Sequence, residues 1–81
     1  MNLKDMTVQE IKTLATKCVF NTVYQQYGGT VQSDGSPTFF TPENDKPYYE
    51  VKVVGKNTFG DLSYHTVRVY GKNDTQYDHN N

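Results

Sequence analysis

The stretch that decides the fold is Tyr48-Tyr49-Glu50-Val51-Lys52-Val53-Val54-Gly55-Lys56-Asn57, because Tyr64-His65-Thr66-Val67-Arg68-Val69-Tyr70-Gly71-Lys72-Asn73 echoes it sixteen residues later. Apolar and polar side chains alternate in both copies, which is typical of a strand with one buried face. Both copies end in Gly-Lys-Asn, and glycine weakens a strand where it occurs. Two copies at so short a period do not build a solenoid. The repeat therefore predicts two neighbouring strands of one sheet, joined through residues 58–62.

The alternation also predicts which side of each strand is buried. The predicted core face carries Tyr49, Val51, Val53, His65, Val67 and Val69, and the predicted solvent face carries Glu50, Lys52, Thr66 and Arg68. A slip of one residue would exchange the two faces, so the burial of these side chains tests the register directly.

A helix is predicted before the repeat. Thr7-Val8-Gln9-Glu10 fits a capping box, with Met6 and Ile11 at the positions of a hydrophobic staple. An apolar stripe follows on one side of the helical wheel and comprises Val8, Ile11, Leu14, Ala15, Cys18, Val19 and Thr22. Gly28-Gly29 supplies the residue that commonly closes a helix. We predict a helix over residues 8–27, although the β-branched and aromatic residues of 17–27 also allow a strand.

The remaining segments are predicted to be a hairpin, a loop and a tail. Thr30-Val31-Gln32 and Thr38-Phe39-Phe40-Thr41 flank Asp34-Gly35, a dipeptide typical of hairpin turns. Residues 41–47 contain two prolines and predict a loop. From about residue 74 the chain is polar and is predicted to be a frayed tail.

Together these elements predict one α+β domain over residues 1–81. An N-terminal helix packs on a three- to four-stranded antiparallel sheet, a meander, because neither the helix stripe nor the valine face can remain in water. The predicted core consists of Ile11, Leu14, Ala15, Cys18, Phe39, Val51, Val53, Val67 and Val69.

Two families share this order of elements. A helix followed by an antiparallel meander is similar to the cystatin arrangement, but the Gln-x-Val-x-Gly inhibitory motif of cystatins does not occur in the chain. Pro47-Tyr48-Tyr49-Glu50-Val51 leading into a strand resembles a double-stranded-RNA-binding domain, a family that closes with a Lys-rich helix. This chain closes with Gln76-Tyr77-Asp78-His79-Asn80-Asn81 instead. Both similarities imply a topology and no activity.

Composition and charge narrow the class of protein. Eight Lys and Arg against nine Asp and Glu leave a net charge of −1, so no strong field gathers nucleic acid or a membrane surface. Seven Tyr and four Phe favour a folded core over disorder. The lone Cys18, with no signal peptide and no membrane-spanning run, predicts a soluble cytoplasmic protein in a reducing compartment. The abundance of Asn, Lys and Tyr is compatible with a viral or mobile-element product.

Residues for catalysis or metal binding are few. Cys18, His65 and His79 are too few and too scattered for a structural zinc site. A Cys18–His65 nucleophilic pair is disfavoured, because burial on the helix stripe suppresses thiol reactivity. The glycines form no phosphate-binding loop, and the carboxylates form no pair suited to acid–base chemistry. We expect no enzyme, cofactor or metal site, and a small enzyme is the least favoured alternative.

Two candidate binding surfaces remain. Phe20, Tyr24 and Tyr27 fall nearly opposite Ile11 on the helical wheel. Either strands wrap this side of the helix, or these rings contact another protein, possibly a second copy of the chain. The leading hypothesis is accordingly a protein-binding module, an accessory or inhibitor protein that occupies a partner's surface.

The alternative hypothesis is a weak nucleic-acid binder. Its predicted site is the sheet face with Lys52, Lys56, Arg68, Lys72 and Tyr70, joined by Tyr48 and Tyr64. Bases can stack on such rings while the cations meet phosphates. Glu50 shares this face, and Lys residues on strands also have the ordinary role of guarding sheet edges.

Overall fold

The computed structural model describes residues 3–78 and shows one helix packed on an antiparallel sheet. The helical elements are a 3-10 turn at Leu3–Asp5, helix α1 at Val8–Val19, and a π-helical turn at Phe20–Tyr24. The strands are β1 Thr30–Ser33, β2 Thr38–Phe40, β3 Tyr48–Lys56, β4 Leu62–Gly71 and β5 Asp74–Asp78. The predicted α+β class, with an N-terminal helix on a sheet, is confirmed.

Helix α1 begins with the predicted capping box. The Thr7 hydroxyl accepts a hydrogen bond from the Glu10 amide at 3.1 Å, and the Glu10 carboxylate accepts one from the Thr7 amide at 2.9 Å. The second bond is the main reason why the pKa of Glu10 is lowered. Met6 and Ile11, the predicted staple residues, are both buried in the core.

The helix does not remain α-helical to residue 27. The Gln25 amide donates to the Phe20 carbonyl at 2.7 Å, a bond of the π-helical type that adds one residue to the turn. The buried helix residues are consequently Ile11, Ala15, Val19 and Tyr24, with a last spacing of five instead of four. The predicted helix is therefore confirmed over residues 8–24, with a π-helical last turn, and it ends three residues before the predicted limit of residue 27.

The sheet has β3 and β4 at its centre, and their register confirms the predicted faces. Val51 lies opposite Val67, and Val53 lies opposite His65. The four core valines of these strands are 0–1% exposed, whereas Lys52 is exposed. Arg68 is only partly exposed, because its guanidinium lies over the Tyr48 ring.

The predicted hairpin at Asp34-Gly35 is wrong. β1 and β2 do not pair with each other; both pair with the same side of β3, Ser33 opposite Val53 and Thr38 opposite Glu50. The Asp34 amide still donates to the Lys52 carbonyl at 2.7 Å, and residues 35–37 bulge out between β1 and β2, with Gly35 at φ 81°. The glycine therefore allows the chain to turn within the bulge, as the Asp-Gly pattern indicates. The two short strands pair with the nine-residue β3, because an isolated two-stranded hairpin is only marginally stable. The sheet is thus a meander four strands wide.

The predicted frayed tail is also wrong for residues 74–78. They form β5, which pairs with β4 and places Tyr77 opposite Val67 and Thr75 opposite Val69. Tyr77 packs against the core and anchors this strand. The strand was not predicted from the sequence because the residues around Tyr77 are polar. The rest of the predicted tail, residues 79–81, lies outside the described residues.

Most of the predicted core is confirmed, with one clear error. Leu14 and Cys18 are partly buried against the core, and the other predicted helix and central-strand residues are buried. Phe39 is 50% exposed, because β2 lies at the sheet edge while α1 packs on β1, β3, β4 and β5. Met6, Val19, Tyr24 and Tyr48 are buried although they were not predicted to be. Within the described residues, no helix has the length and apolarity needed to cross a membrane.

Candidate functional site

One end of the molecule, here called the hairpin end, brings together the C-terminal turn of the helix and the loop between β3 and β4. A cleft of about 390 Å³ opens between these two segments. Its walls include Tyr27 from the helix side and Phe59 from the loop, and its base includes Tyr24, Ser63 and His65. The residues that line it carry no formal charge when His65 is neutral, so the cleft suits an uncharged group.

The loop at the hairpin end is held by Asn57. Its side-chain oxygen accepts hydrogen bonds from the amides of Phe59 and Asp61, both at 2.9 Å. Backbone bonds from the Asn57 amide to the Asp61 carbonyl and from the Gly60 amide to the Asn57 carbonyl close the turn. Gly60 adopts φ 93°, which suits glycine. This tight turn presents the Phe59 side chain to solvent at 89% exposure.

A hydrogen-bonded chain of three rings runs inward from the cleft, which Tyr24 and His65 line. The Tyr24 hydroxyl lies 2.9 Å from His65 Nε2, and the Tyr77 hydroxyl lies 2.6 Å from His65 Nδ1. A neutral imidazole has one donor and one acceptor, so one hydroxyl donates to the ring and the other accepts from it. Partial burial lowers the pKa of His65, which favours that neutral form.

Two glycines make room for Tyr24. A Cβ atom at Gly55 would overlap the Tyr24 hydroxyl and ring. At Gly29, which has φ 125°, a Cβ would lie 2.9 Å from the Tyr24 ring and 2.6 Å from the Lys56 carbonyl oxygen. The Gly-Lys-Asn that ends the first copy of the repeat therefore has a packing role, whereas Gly71 in the second copy has no atom within 4 Å of such a Cβ.

The predicted aromatic surface of Phe20, Tyr24 and Tyr27 is not one exposed face. Tyr24 is 5% exposed and belongs to the core, Phe20 packs partly against the core, and Tyr27 is 76% exposed. The extra residue of the π-helical turn rotates later side chains by about 100° relative to an α-helix, which brings Tyr24 inward. Of the two alternatives left open by the sequence, burial against the sheet holds for Tyr24, and Tyr27 alone of the three lies on an open surface.

Two exposed apolar residues at the hairpin end, Phe59 and Leu62, were not predicted, and Tyr64 was predicted only as part of the nucleic-acid face. Phe59 lies in the loop, and Leu62 and Tyr64 lie at the start of β4, 57% and 71% exposed. Leu62 and Tyr64 point to the sheet face away from the helix, since they pair with Lys56 and Val54 in the alternating register. The sequence did contain a signal for this surface, because Leu62 and Tyr64 are apolar residues at positions where the alternation of β4 predicts exposure to solvent.

The structure brings together most of the predicted nucleic-acid site. Lys52, Lys56, Arg68 and Tyr70 all lie on the sheet face away from the helix. Lys72 does not, because it lines a separate cavity beside α1 with Glu10 and Leu14.

The rings on this face are partly engaged already. Tyr48 is 8% exposed beneath Arg68, whose guanidinium is 4.8 Å from the ring centre. Tyr70 donates to the Asp45 carboxylate at 2.6 Å, which raises the pKa of Tyr70 and lowers that of Asp45. Tyr64 is the ring on this face that stays widely exposed among the described residues.

The arrangement offers little for catalysis. Both ring nitrogens of His65 meet tyrosine hydroxyls, and Cys18 is half-buried on α1, so the two do not form a nucleophilic pair. Among residues 3–78 no group of three or more Cys, His, Asp and Glu could hold a metal ion. His79 lies outside the described residues.

The chain matches no protein-family model, no curated protein and no solved structure. Its function is therefore argued from its own geometry.

Proposed function

We propose that the chain is a small non-enzymatic protein-binding module that contacts its partner through the hairpin end. One observation carries the proposal. Seven large apolar side chains are exposed in the described part of the chain, and four of them lie at this end: Tyr27 and Phe59 at the cleft, and Leu62 and Tyr64 on the sheet face away from the helix. Exposed apolar groups gathered at one end of a molecule are typical of contact surfaces.

The physical chemistry of this end suits an interface. Burial of apolar area contributes roughly 25 cal/mol per Å², and aromatic rings dominate interface cores. The loop that carries Phe59 is held by the two bonds to Asn57, so its ordering on binding costs little. The partner is a protein that inserts an uncharged apolar side chain between Tyr27 and Phe59, as expected for an accessory or inhibitor protein that occupies its target's surface.

The test compares substitutions at the hairpin end with substitutions elsewhere. Phe59→Ser and Tyr27→Ser remove the two exposed rings that wall the cleft and that the core does not need, so the thermal midpoint should stay unchanged. Each should weaken the partner's binding by about tenfold or more, since truncating a hot-spot residue costs about 2 kcal/mol and about 1.4 kcal/mol is already tenfold. The matched control is Val8→Ser, which removes an exposed apolar side chain from α1.

The readout is quantitative retention of proteins from the source cell on the immobilised chain, followed by a direct affinity measurement with the retained protein. A protein lost by both hairpin-end variants and kept by Val8→Ser supports the proposal. Equal retention by all variants overturns it.

A second candidate function, nucleic-acid binding, is favoured by the shared position of Lys52, Lys56 and Arg68 beside the exposed Tyr64. Salt weakens phosphate contacts steeply, so such a site requires retention on single-stranded DNA that falls as salt rises. Lys52→Glu should reduce that retention, while Lys72→Glu, whose lysine lies on the other side, should not. Retention that both substitutions reduce equally reflects overall charge and argues against this site.

A further inference from the structure

Strand β2 has an open edge, at the end of β3 that lies away from the hairpin end. This strand pairs with β3 on one side, and among the described residues no strand pairs with its other side. Phe39 and Phe40 project to opposite faces and are 50% and 39% exposed. Each ring is positioned by a neighbour on β3, Phe39 by Tyr49 at 5.0 Å and Phe40 by Tyr48 at 5.5 Å between ring centres. The edge is thus apolar and held in place.

The charges along the two sheet edges differ. No residue from 35 to 42 is charged, so β2 lacks the lysine that commonly guards an edge strand. The opposite edge strand, β5, begins at a charged residue, Asp74, whose carboxylate lies 3.2 Å from Lys46 Nζ. Self-pairing of β2 brings no like charges together. Pro37 and Pro42 confine the pairing to the few residues between them.

We propose that β2 pairs antiparallel with β2 of a second copy of this chain, about a two-fold axis at Phe39. The axis is perpendicular to the sheet, so each face continues across the contact. Phe39 then lies opposite Phe39 of the second copy, and Thr38 lies opposite Phe40 of the second copy. Backbone hydrogen bonds satisfy the open edge, and the facing phenylalanines bury apolar area. The two five-stranded sheets become one continuous sheet.

The size of the contact sets its strength. Only the three residues of β2, Thr38–Phe40, pair in each chain, so the buried area is at the small end of protein interfaces. The expected complex is a concentration-dependent dimer in exchange with the monomer. The contact lies apart from the hairpin end, because β2 pairs with Tyr48–Glu50 at the start of β3 and the hairpin follows its end. The two surfaces can therefore be occupied together.

The first experiment is sedimentation equilibrium of the whole chain over a range of concentrations. The apparent mass should rise from 9.3 kDa toward twice that value as concentration increases to about 1 mM. A chain that stays monomeric over this range overturns the proposal. Phe59→Ser should dimerise like the unchanged chain, which separates this contact from the one at the hairpin end. A dimer that Phe59→Ser abolishes would overturn the β2 contact.

The second experiment uses the symmetry of the contact. Phe39→Lys and Phe39→Glu each place like charges opposite one another and should each be monomeric. An equimolar mixture should dimerise again, because the two charges are then opposite in sign. The control Val8→Lys adds a charge on an exposed helix position and should leave dimerisation unchanged. If Phe39→Lys lowers the thermal midpoint, Thr38→Lys is used instead; it places an edge lysine opposite Phe40 of the second copy and should also be monomeric.

The mixing result decides between occupants of this edge. A mixture of the two charged variants that remains monomeric overturns the two-fold pairing at Phe39. If the unchanged chain is monomeric and binds a different protein that Phe39→Lys no longer binds, the β2 edge is the site for that protein. This result also overturns the proposal.

Discussion

Tyr24 can be buried only because Gly55 has no side chain. Its hydroxyl and ring occupy the space above Gly55, where any Cβ atom would overlap them. The buried ring then reaches His65 and closes the base of the cleft. Glycine at position 55 is therefore required by packing on the helix side of the sheet, and its occurrence in the sequence repeat has a cause that the repeat alone does not reveal.

Gly55→Ala should destabilise the fold by about 1–3 kcal/mol, the usual cost of inserting a methyl group into a filled core. The measurement is the urea midpoint of unfolding. Gly71→Ala is the matched control at the equivalent position of the second repeat copy, where the new methyl group meets nothing within 4 Å. It should change the free energy of unfolding by less than about 0.5 kcal/mol. Equal effects of the two substitutions would contradict the packing of Tyr24 against Gly55.

Among the elements, β3 and β4 were predictable, because a strand buried on one side repeats its burial every second residue. Only a slip of the whole register by one residue could have placed the valines on the exposed face, namely Val51, Val53, Val67 and Val69. The capping box was predictable for a related reason. Its two hydrogen bonds join residues that are three apart in the sequence, so they form without any contribution from distant parts of the chain.

Elements that depend on distant partners were not predictable. The Asp34-Gly35 signal indicates a turn but does not say which strands it joins, and the long edge of β3 decided that. The π-helical turn leaves no pattern in Phe20–Tyr24 itself; it follows from the packing of Tyr24 on the sheet. The exposed end of the molecule was only half predicted, since Tyr27 and Tyr64 were identified, Tyr64 as part of a nucleic-acid face, but Phe59 and Leu62 were not.

The N-terminal cap should contribute to stability as an element. Thr7→Ala removes the acceptor for the Glu10 amide and should cost about 1 kcal/mol in the free energy of unfolding. Thermal or urea unfolding measures this cost. Thr7→Ser keeps a hydroxyl in place and should restore most of the loss. A midpoint that does not change with alanine would show that the cap does not support α1.

At the scale of the whole molecule, His65 joins three elements. Tyr24 lies on the π-helical turn, His65 on β4 and Tyr77 on β5, so the ring chain ties the helix end to the last strand. Protonation of His65 would turn both ring nitrogens into donors and leave a tyrosine proton without its acceptor. The two hydroxyls that meet the ring carry no charge to offset an imidazolium.

Stability should therefore fall in mild acid. Burial lowers the pKa of His65 from its ordinary 6.5, so the stabilisation is complete above that pH and is lost as the pH falls through the lower value of the folded state. The thermal midpoint should drop between about pH 7 and about pH 5, a window above the titration of Glu10 and Asp45, whose pKa values are also lowered. His65→Gln, which cannot titrate, should show a flatter profile. An identical slope in both proteins would contradict this role of His65.

The π-helical turn also bears on how the chain can change in length. Between Val19 and Tyr24 the helix contains one residue more than an α-helix needs to bring the same two side chains onto the sheet. Asn21 and Thr22 are exposed in this turn. Loss of Asn21 would convert the turn to α-helix and leave Tyr24 four positions after Val19, still directed at Gly55. A deletion inside an α-helix ordinarily rotates all later side chains by about 100°. Here the deletion would remove only the extra residue of the π-helical turn, so the chain can shorten by one residue without moving its core side chains.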